Sequence, residues 1–284
     1  MYMSHTGTQP AKERRQERIS MMIILPAIAL GIFAMIHDGI SSALWAQQAA
    51  AFALCLFMLL LKRRAARRGT AAVLAAVLVV FLAVSLLGSG AGGARRWVNL
   101  GGFSVNAALL VLPALLVLLG GVRRFELLLL CAAAVLSIQP DFSQLTALAA
   151  ASLPLLWHGR RERGWRIFCV AVLSVLAVVC LRIPVEIESV PYCEGVLSML
   201  GKTSWTLMAA GAVSLIVIPV FWICRYFKEN SIWMLSLSVY YMVTILFGLS
   251  GAYPVPFMGF GLSPIVGYWL AALFAPDTEN RTEE

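Results

Sequence analysis

Two adjacent arginines, Arg95 and Arg96, follow a glycine-rich run and precede Trp97 in the stretch GSGAGGARRWVNLGGF, residues 88–103. Paired guanidinium groups can bind phosphate oxygens in a bidentate manner, and a glycine-rich backbone can come close to a phosphate. A carboxylate at the same surface could act as a general base toward a hydroxyl group. This combination predicts a site for an anionic, phosphate-bearing ligand. The alternative is that the arginines reach to a membrane interface, with Trp97 in an aromatic belt.

The elements that position these residues are predicted to be membrane-spanning helices. Hydrophobic residues make up 61% of the chain and charged residues 13%, and the mean hydropathy is +0.86. A hydrocarbon core about 30 Å thick needs roughly 20 helical residues to cross. We therefore predict an all-α integral membrane protein, a polytopic bundle of about ten transmembrane helices. The apolar runs lie at approximately 20–37, 42–61, 70–89, 103–122, 126–138, 142–157, 167–183, 203–223, 231–250 and 262–276.

Charge orients the predicted helices, because cytoplasmic loops collect Lys and Arg. With the N-terminus inside, only four of the 22 Lys and Arg residues fall on the outer side: Arg95, Arg96, Arg182 and Lys202. The N-terminal segment 1–19 and the polar tail 277–284 are then cytoplasmic. Two short spans are expected at 126–157, since a single crossing would move the stretch RRERGWR outside. We attribute the net charge of +8 to topology and to contact with membrane lipids, not to nucleic acid binding.

Other chemistries have little support in the sequence. The six cysteines have no metal-ligand spacing and mostly fall within predicted helices, so no disulfide framework is expected. The three histidines are scattered, which argues against a His-based metal site or a Ser–His nucleophile. No G-x-x-x-x-G-K-[ST] loop is present, which argues against an ATP-driven pump. No cofactor is expected, and a need for a divalent cation stays open.

Three stretches resemble, in order, motifs of the SEDS family (shape, elongation, division and sporulation), which includes FtsW, RodA and SpoVE. GGARRWVNLGGFSV is similar to the family's Gly-x-Arg-Trp-x-x-x-Gly loop. SIQPDFSQLTAL, 137–148, is similar to its Gln-Pro-Asp-Leu-Gly-Thr-Ala motif. GAYPVPFMGFGLSPIVGYWLAAL, 251–273, resembles its terminal Pro-x-x-Gly-x-x-Leu-Pro-Phe-x-Ser-Tyr-Gly-Gly-Ser motif. The chain is identified as a short, divergent member, with residues 1–284 forming a single SEDS-like transmembrane domain.

The resemblance implies a peptidoglycan glycosyltransferase that polymerises lipid II at the outer face of the bacterial cytoplasmic membrane. Its role would lie in cell division, cell-shape control or sporulation, with a class B penicillin-binding protein as the transpeptidase partner. Asn106 takes the place of a family Gln. The residues implied to bind substrate are Arg95, Arg96, Trp97, Asn106, Gln139, Asp141 and Ser263.

One departure from the family concerns the catalytic carboxylate. The family carries a catalytic Asp in a large outer loop between spans seven and eight, which shrinks here to 182–202 and contains no Asp. Matching SMLG, 198–201, to the family's Glu-Glu-Leu-Gly places the missing Asp near Val190. We predict that Glu194 supplies the carboxylate, because a helix begins there and favours its anion; Glu188 is the second candidate. The alternative is a capping or interfacial Glu without chemistry.

Several alternatives stay open from the sequence alone. Asp141 could orient substrate, or it could cap the helix that follows Pro140, and both are compatible. The chain could be a catalytically inactive scaffold or regulator that binds lipid II. A flippase for lipid-linked precursors has less support, because few charged groups lie within the spans to line a path. An essential outer carboxylate and the formation of glycan would distinguish the enzyme from these alternatives.

Overall fold

The structure is a computed structural model that describes residues 18–61, 70–88, 95–101, 103–159, 161–185, 190–251 and 253–276. In these ranges the chain forms eleven α-helices and one antiparallel β-hairpin. The helices are α1 Leu25–His37, α2 Ser42–Leu61, α3 Ala71–Val84, α4 Ala107–Leu119, α5 Glu126–Ile138, α6 Phe142–His158, α7 Arg163–Arg182, α8 Val196–Thr203, α9 Trp205–Glu229, α10 Ile232–Leu249 and α11 Ser263–Phe274. The hairpin pairs β1 Trp97–Leu100 with β2 Phe103–Asn106.

Ten of these helices coincide with the ten predicted spans. Helix α8 is the exception, because its 8 residues are too few to cross a membrane and it lies in the connection from α7 to α9. Within the described ranges, five helical segments are long and apolar enough to span by themselves, and the first of them runs from Arg18 to His37 and includes α1. The expected polytopic bundle of about ten helices is therefore confirmed for the described part of the chain.

The predicted span 103–122 begins differently in the structure. Its first four residues form strand β2, and helix α4 starts only at Ala107. The side chain of Asn106 accepts a hydrogen bond from the Leu109 N–H at 3.1 Å and so caps the helix. The Ala107 N–H donates to the Arg96 carbonyl at 3.0 Å, which ties the start of the helix to the hairpin.

The region 126–157 forms two helices, as predicted. Helix α5 has 13 residues and α6 has 17, and they meet at a break formed by Gln139, Pro140 and Asp141. At 1.5 Å per residue α5 is only about 20 Å long. Leu127 and Ile138, at its two ends, are 70% and 62% exposed, so one face of this short helix lies toward lipid.

Helix α4 forms the centre of the bundle, and nearly all of its side chains are buried. It packs closely on α11 because Gly267 has no side chain: a Cβ there would lie 2.2 Å from the Leu109 carbonyl oxygen. Helices α2 and α7 are peripheral, because only 22% and 17% of their most apolar 18-residue stretches are buried. This arrangement of a buried centre and apolar exposed helices is typical of a membrane bundle.

Candidate functional site: a polar pocket among the helix ends

A polar pocket lies where the hairpin, the α5–α6 break and the C-terminal end of α10 meet. The space between its lining atoms, counted together with the solvent in its open mouth, is about 270 Å³. The pocket is lined by Arg96, Asn106, Leu109, Asp141, Ser143, Gln144, Thr244, Phe247, Tyr253 and Pro254. Each of the three motif stretches identified in the sequence contributes at least one of these residues, so the fold brings the motifs together at this point.

Arg96 is the cationic group of the pocket and is only 8% exposed. Its Nε lies 3.5 Å from Oδ2 of Asp141, and one of its terminal nitrogens donates to the Pro140 carbonyl at 3.1 Å. The guanidinium group also lies over the Tyr253 ring, 5.8 Å from its centre. Asp141 therefore compensates much of the charge on Arg96, although the buried Nε–H makes no hydrogen bond within the described part of the chain.

Asp141 both caps helix α6 and lines the pocket. Its Oδ1 accepts from the Gln144 N–H at 3.4 Å and from the Ser143 hydroxyl at 3.0 Å, while Oδ2 lies toward Arg96. The capping and pocket-lining interpretations of Asp141 thus hold together. With donors on one side and a carboxylate on the other, the pocket offers complementary partners for hydroxyl groups.

Asn106 and Ser263 act as a pair. The Asn106 side chain caps α4, and its backbone N–H donates to the Ser263 hydroxyl at 2.8 Å. Ser263 is 1% exposed and does not line the pocket; it fixes the position of Asn106 from the start of α11. Both residues of this pair were predicted to bind substrate, but only Asn106 is placed to contact a molecule in the pocket.

The other predicted substrate-binding residues lie beside the pocket. Arg95 is exposed and donates to the Leu86 carbonyl at 3.2 Å, and Trp97 is half-buried in β1. Gln139 is fully buried, and its amide donates to the Leu82 carbonyl at 3.0 Å and to the Ser85 hydroxyl. Gln139 thereby fastens the end of α3 to the α5–α6 break, and it does not line the pocket.

Four polar residues that line the pocket were not predicted from the sequence: Ser143, Gln144, Thr244 and Tyr253. The Tyr240 hydroxyl donates to Oε1 of Gln144 at 2.7 Å, which orients that amide. Two sequence signals were available. Gln144 lies three residues after Asp141 in the Gln-Pro-Asp stretch, and Tyr240 and Thr244 are four apart on one face of an apolar helix.

Glu194 lies in a loop, 190–195, that is attached to the pocket wall by backbone hydrogen bonds. The Val255 N–H donates to the Cys193 carbonyl at 3.0 Å, and the Phe260 N–H donates to the Tyr192 carbonyl at 2.7 Å. The 190–195 loop is thus held on the 253–260 loop, whose residues Tyr253 and Pro254 line the pocket.

The Glu194 carboxylate is half-buried and points back along its own loop. It accepts from the Val190 N–H at 2.7 Å and is not itself a pocket-lining group. Burial raises the pKa of this carboxyl; the Val190 and Glu194 N–H groups and the Arg96 guanidinium offset part of the rise. Glu188, the second candidate, lies outside the described residues.

Comparison with known proteins identifies the fold. No protein-family model and no curated protein matches the sequence. The crystal structure of the rod shape determining protein RodA from Thermus thermophilus is similar with a TM-score of 0.66 and 18% identity, over 93% of this chain and 97% of RodA. The crystal structure of a mutant of the same RodA is similar with a TM-score of 0.66 and 17% identity. This match covers 93% of this chain and 98% of the mutant chain.

A third structure is similar with a TM-score of 0.62 and 19% identity. It is described by the words "structural coordination of polymerization and crosslinking by a peptidoglycan synthase complex". It covers 93% of this chain and 98% of the chain that it matches. At such identities the likeness establishes the fold, which is that of RodA. The fold expected from the SEDS resemblance is therefore confirmed, and the chain is a multi-pass membrane protein.

Proposed function

We propose that the chain is a SEDS-type peptidoglycan glycosyltransferase that polymerises lipid II at the outer face of the bacterial cytoplasmic membrane. The observation that carries the proposal is the pocket, in which Arg96, Asp141 and Tyr253 come from three separate stretches that each resemble a SEDS motif. The RodA fold over 93% of the chain supports the same conclusion. The N-terminus is proposed to be cytoplasmic, as the distribution of Lys and Arg indicates.

The two arginines are proposed to have different roles. Arg96 is paired with Asp141 inside the pocket, where this pair and Asn106 suit the hydroxyl groups of a sugar. Arg95 is exposed, and among the described residues it donates to the Leu86 carbonyl alone, so we propose that its other donors bind pyrophosphate oxygens. This division refines the sequence-based expectation that both arginines bind the pyrophosphate.

The proposed reaction joins two sugars. The 4-hydroxyl oxygen of the acceptor forms a bond to C1 of the donor sugar, and the bond from C1 to the phosphate oxygen breaks. Undecaprenyl pyrophosphate leaves with the bonding electrons, stabilised by Arg95. The hydroxyl proton passes to the Glu194 carboxylate. The raised pKa of Glu194 suits this role, because a base is most effective when its pKa lies near the working pH.

The partner is proposed to be a class B penicillin-binding protein, since one structure with this fold belongs to a peptidoglycan synthase complex. The test is polymerisation of fluorescent lipid II by the purified protein, with and without such a partner, followed on a gel. Glu194→Gln is the informative variant, because its amide oxygen still accepts from the Val190 N–H while the base is lost. Loss of a general base lowers the rate by about a hundredfold or more.

Two further variants complete this test. Glu162→Gln changes an exposed carboxylate in the α6–α7 connection and is the matched control, so its rate should equal that of the wild type. Arg95→Ala should lower polymerisation while leaving thermal stability unchanged, because Arg95 is exposed. Full polymerase activity of Glu194→Gln would exclude Glu194 as the base and direct attention to Glu188.

The alternative of an inactive scaffold that binds lipid II is supported by one observation. The Glu194 carboxylate is held by the Val190 N–H and does not line the pocket. Absence of glycan from the wild type with any partner, together with retained binding of lipid II, would establish the scaffold.

A further inference from the structure

Helix α2 carries a buried glutamine although most of its surface faces lipid. Only 22% of the apolar stretch Ser42–Leu59 of α2 is buried, yet the Gln48 residue within it is just 1% exposed. Its Nε2 donates to the Phe257 carbonyl oxygen at 2.6 Å and lies 3.4 Å from the Gly259 carbonyl oxygen. A primary amide in an apolar helix is unfavourable unless it is hydrogen-bonded. The two carbonyl groups satisfy the NH2 group of Gln48, whereas its Oε1 is buried with no hydrogen-bond partner among the described residues.

Phe257 has an uncommon backbone conformation at this contact. Its φ is +66°, in the left-handed region that bulky residues rarely adopt. Its side chain is fully buried, with ring centres 5.4 Å from Tyr241 and 5.5 Å from Tyr268. Such a conformation persists only where the surroundings hold it. The aromatic cluster holds the Phe257 ring, and the Gln48 amide holds the carbonyl group of the same residue.

The 253–260 loop that contains Phe257 forms two other contacts described above. Tyr253 and Pro254, at its beginning, line the polar pocket. Towards its end, Gly259 lies so close to the 190–195 loop that a Cβ would be 2.2 Å from the Cys193 carbonyl oxygen. The position of this one loop therefore determines both the pocket wall and the place of the loop that carries Glu194.

We propose that Gln48 is a positioning residue for the pocket. By donating to the Phe257 and Gly259 carbonyl groups, it fixes the 253–260 loop, and through that loop it fixes the 190–195 loop next to the pocket. The catalytic consequence rests on the proposed function, whereas the structural part can be tested without any substrate.

Cys193 is a natural reporter of the structural part. Its thiol lies 3.6 Å from the Phe260 carbonyl oxygen, and burial together with the Glu194 carboxylate raises its pKa to about 12. A thiol with such a pKa reacts slowly with maleimide. Cys131 and Cys224 are exposed and are replaced by Ala, whereas the remaining cysteines, at 55, 169 and 180, are buried. The rate of maleimide labelling then reports opening of the 190–195 loop.

The decisive variant is Gln48→Met, which keeps the length of the side chain and removes the donor. We expect it to raise the rate of Cys193 labelling by about tenfold, since loss of the amide contact frees the two loops. Gln47→Met, at the partly buried neighbouring position, is the matched control and should label at the rate of the wild type. Equal labelling of Gln48→Met and Gln47→Met would overturn the proposal. If Gln48→Met does not elute as a monodisperse protein, Gln48→Asn, whose shorter amide cannot reach Phe257, takes its place.

The catalytic part is tested on the whole 284-residue chain with fluorescent lipid II. Gln48→Met should lower kcat by about tenfold with little change in KM, because a displaced base slows the chemical step more than binding. Unchanged kcat in a variant with exposed Cys193 would overturn the positioning role in catalysis. The two proposals can fail separately. If the wild type forms no glycan while Gln48→Met still raises the rate of Cys193 labelling, the proposed function is overturned and the role of Gln48 in holding the loops is supported.

Discussion

Arg96 and Asp141 form a buried ion pair, with 3.5 Å between Nε and Oδ2, although they come from two different motif stretches. Removing one partner of such a pair leaves a buried charge and costs about 3 kcal/mol of unfolding free energy or more. We therefore expect Arg96→Met and Asp141→Asn each to lower the thermal unfolding temperature in detergent, followed by tryptophan fluorescence. Asparagine is chosen because its oxygen can still accept from the Gln144 N–H and cap α6.

The double variant Arg96→Met/Asp141→Asn should recover part of the lost stability, because neither charge is then left alone. Purely additive losses would show that the two groups do not interact in the folded protein. Polymerisation should stay low in all three variants, since recovery of stability does not restore the donors and acceptors of the pocket.

The rate of polymerisation should depend on the protonation of Glu194. Burial raises the pKa of this carboxyl above its ordinary value of 4.5, so the rate should fall as the pH is lowered through a midpoint above that value. The raised pKa also means that the folded protein binds this proton more tightly than the unfolded chain. The protonated Glu194 carboxyl therefore contributes to the stability of the folded protein below pH 4.5, and this contribution is lost as the pH rises through the folded-state pKa.

Glu194→Gln should remove this dependence of stability on pH. We expect the wild type to lose stability relative to the variant as the pH rises from acid to neutral. The unfolding temperature of the variant minus that of the wild type, measured at the same pH, should therefore increase over this range. Parallel curves for the two proteins over this range would mean that the carboxyl has the same pKa in the folded and unfolded states.

Gly267→Ala should destabilise the contact between α4 and α11. The new methyl group would lie 2.2 Å from the Leu109 carbonyl oxygen, so the helices must separate. Overpacking of this kind costs about 1–3 kcal/mol. Gly164→Ala, in exposed α7 with no atom within 4 Å of the added Cβ, is the matched control and should be neutral or slightly stabilising. Equal unfolding temperatures for the two variants would contradict the close packing at Gly267.

Asn106 variants should separate helix capping from binding. Asn106→Ala removes the cap of α4 and is expected to cost about 1 kcal/mol. Asn106→Ser keeps a capping oxygen and adds no charge at a position that is only 3% exposed, so it should retain most of the stability. It removes the amide that lines the pocket, and we expect its affinity for lipid II, measured by fluorescence anisotropy, to fall well below that of the wild type. Unchanged affinity of Asn106→Ser would exclude the Asn106 amide from the binding surface.

Much of the fold could be predicted because hydropathy depends on local sequence. The long apolar runs predicted the ten spans, and Pro140 with Asp141 predicted the break between α5 and α6. The hairpin was missed because Phe103, Ser104 and Val105 continue the apolar run of α4. Gly101 and Gly102, which lie between the two paired segments, were a turn signal that the hydropathy pattern concealed.

The composition of the pocket was harder to predict. Motif resemblance identified Arg96, Asn106 and Asp141, but it could not show that Arg96 is paired with Asp141 or that Gln139 turns away toward Leu82. These outcomes depend on contacts between helices that are distant in sequence. Periodicity and residue type carry no information on such contacts, and for the same reason the contribution of Tyr253 could not be foreseen.

The short helix α5 has a consequence for the surrounding bilayer. Its 13 residues span about 20 Å, against roughly 30 Å of hydrocarbon, and thinning of the lipid beside its exposed face would accommodate this difference. The helix ends at Ile138, next to the break that forms part of the pocket wall. A dip in the membrane surface at this place would bring the head group of a membrane-anchored molecule down to the level of the pocket while its hydrocarbon chain stays in lipid. The length of one helix would thus give a water-insoluble molecule access to a polar site.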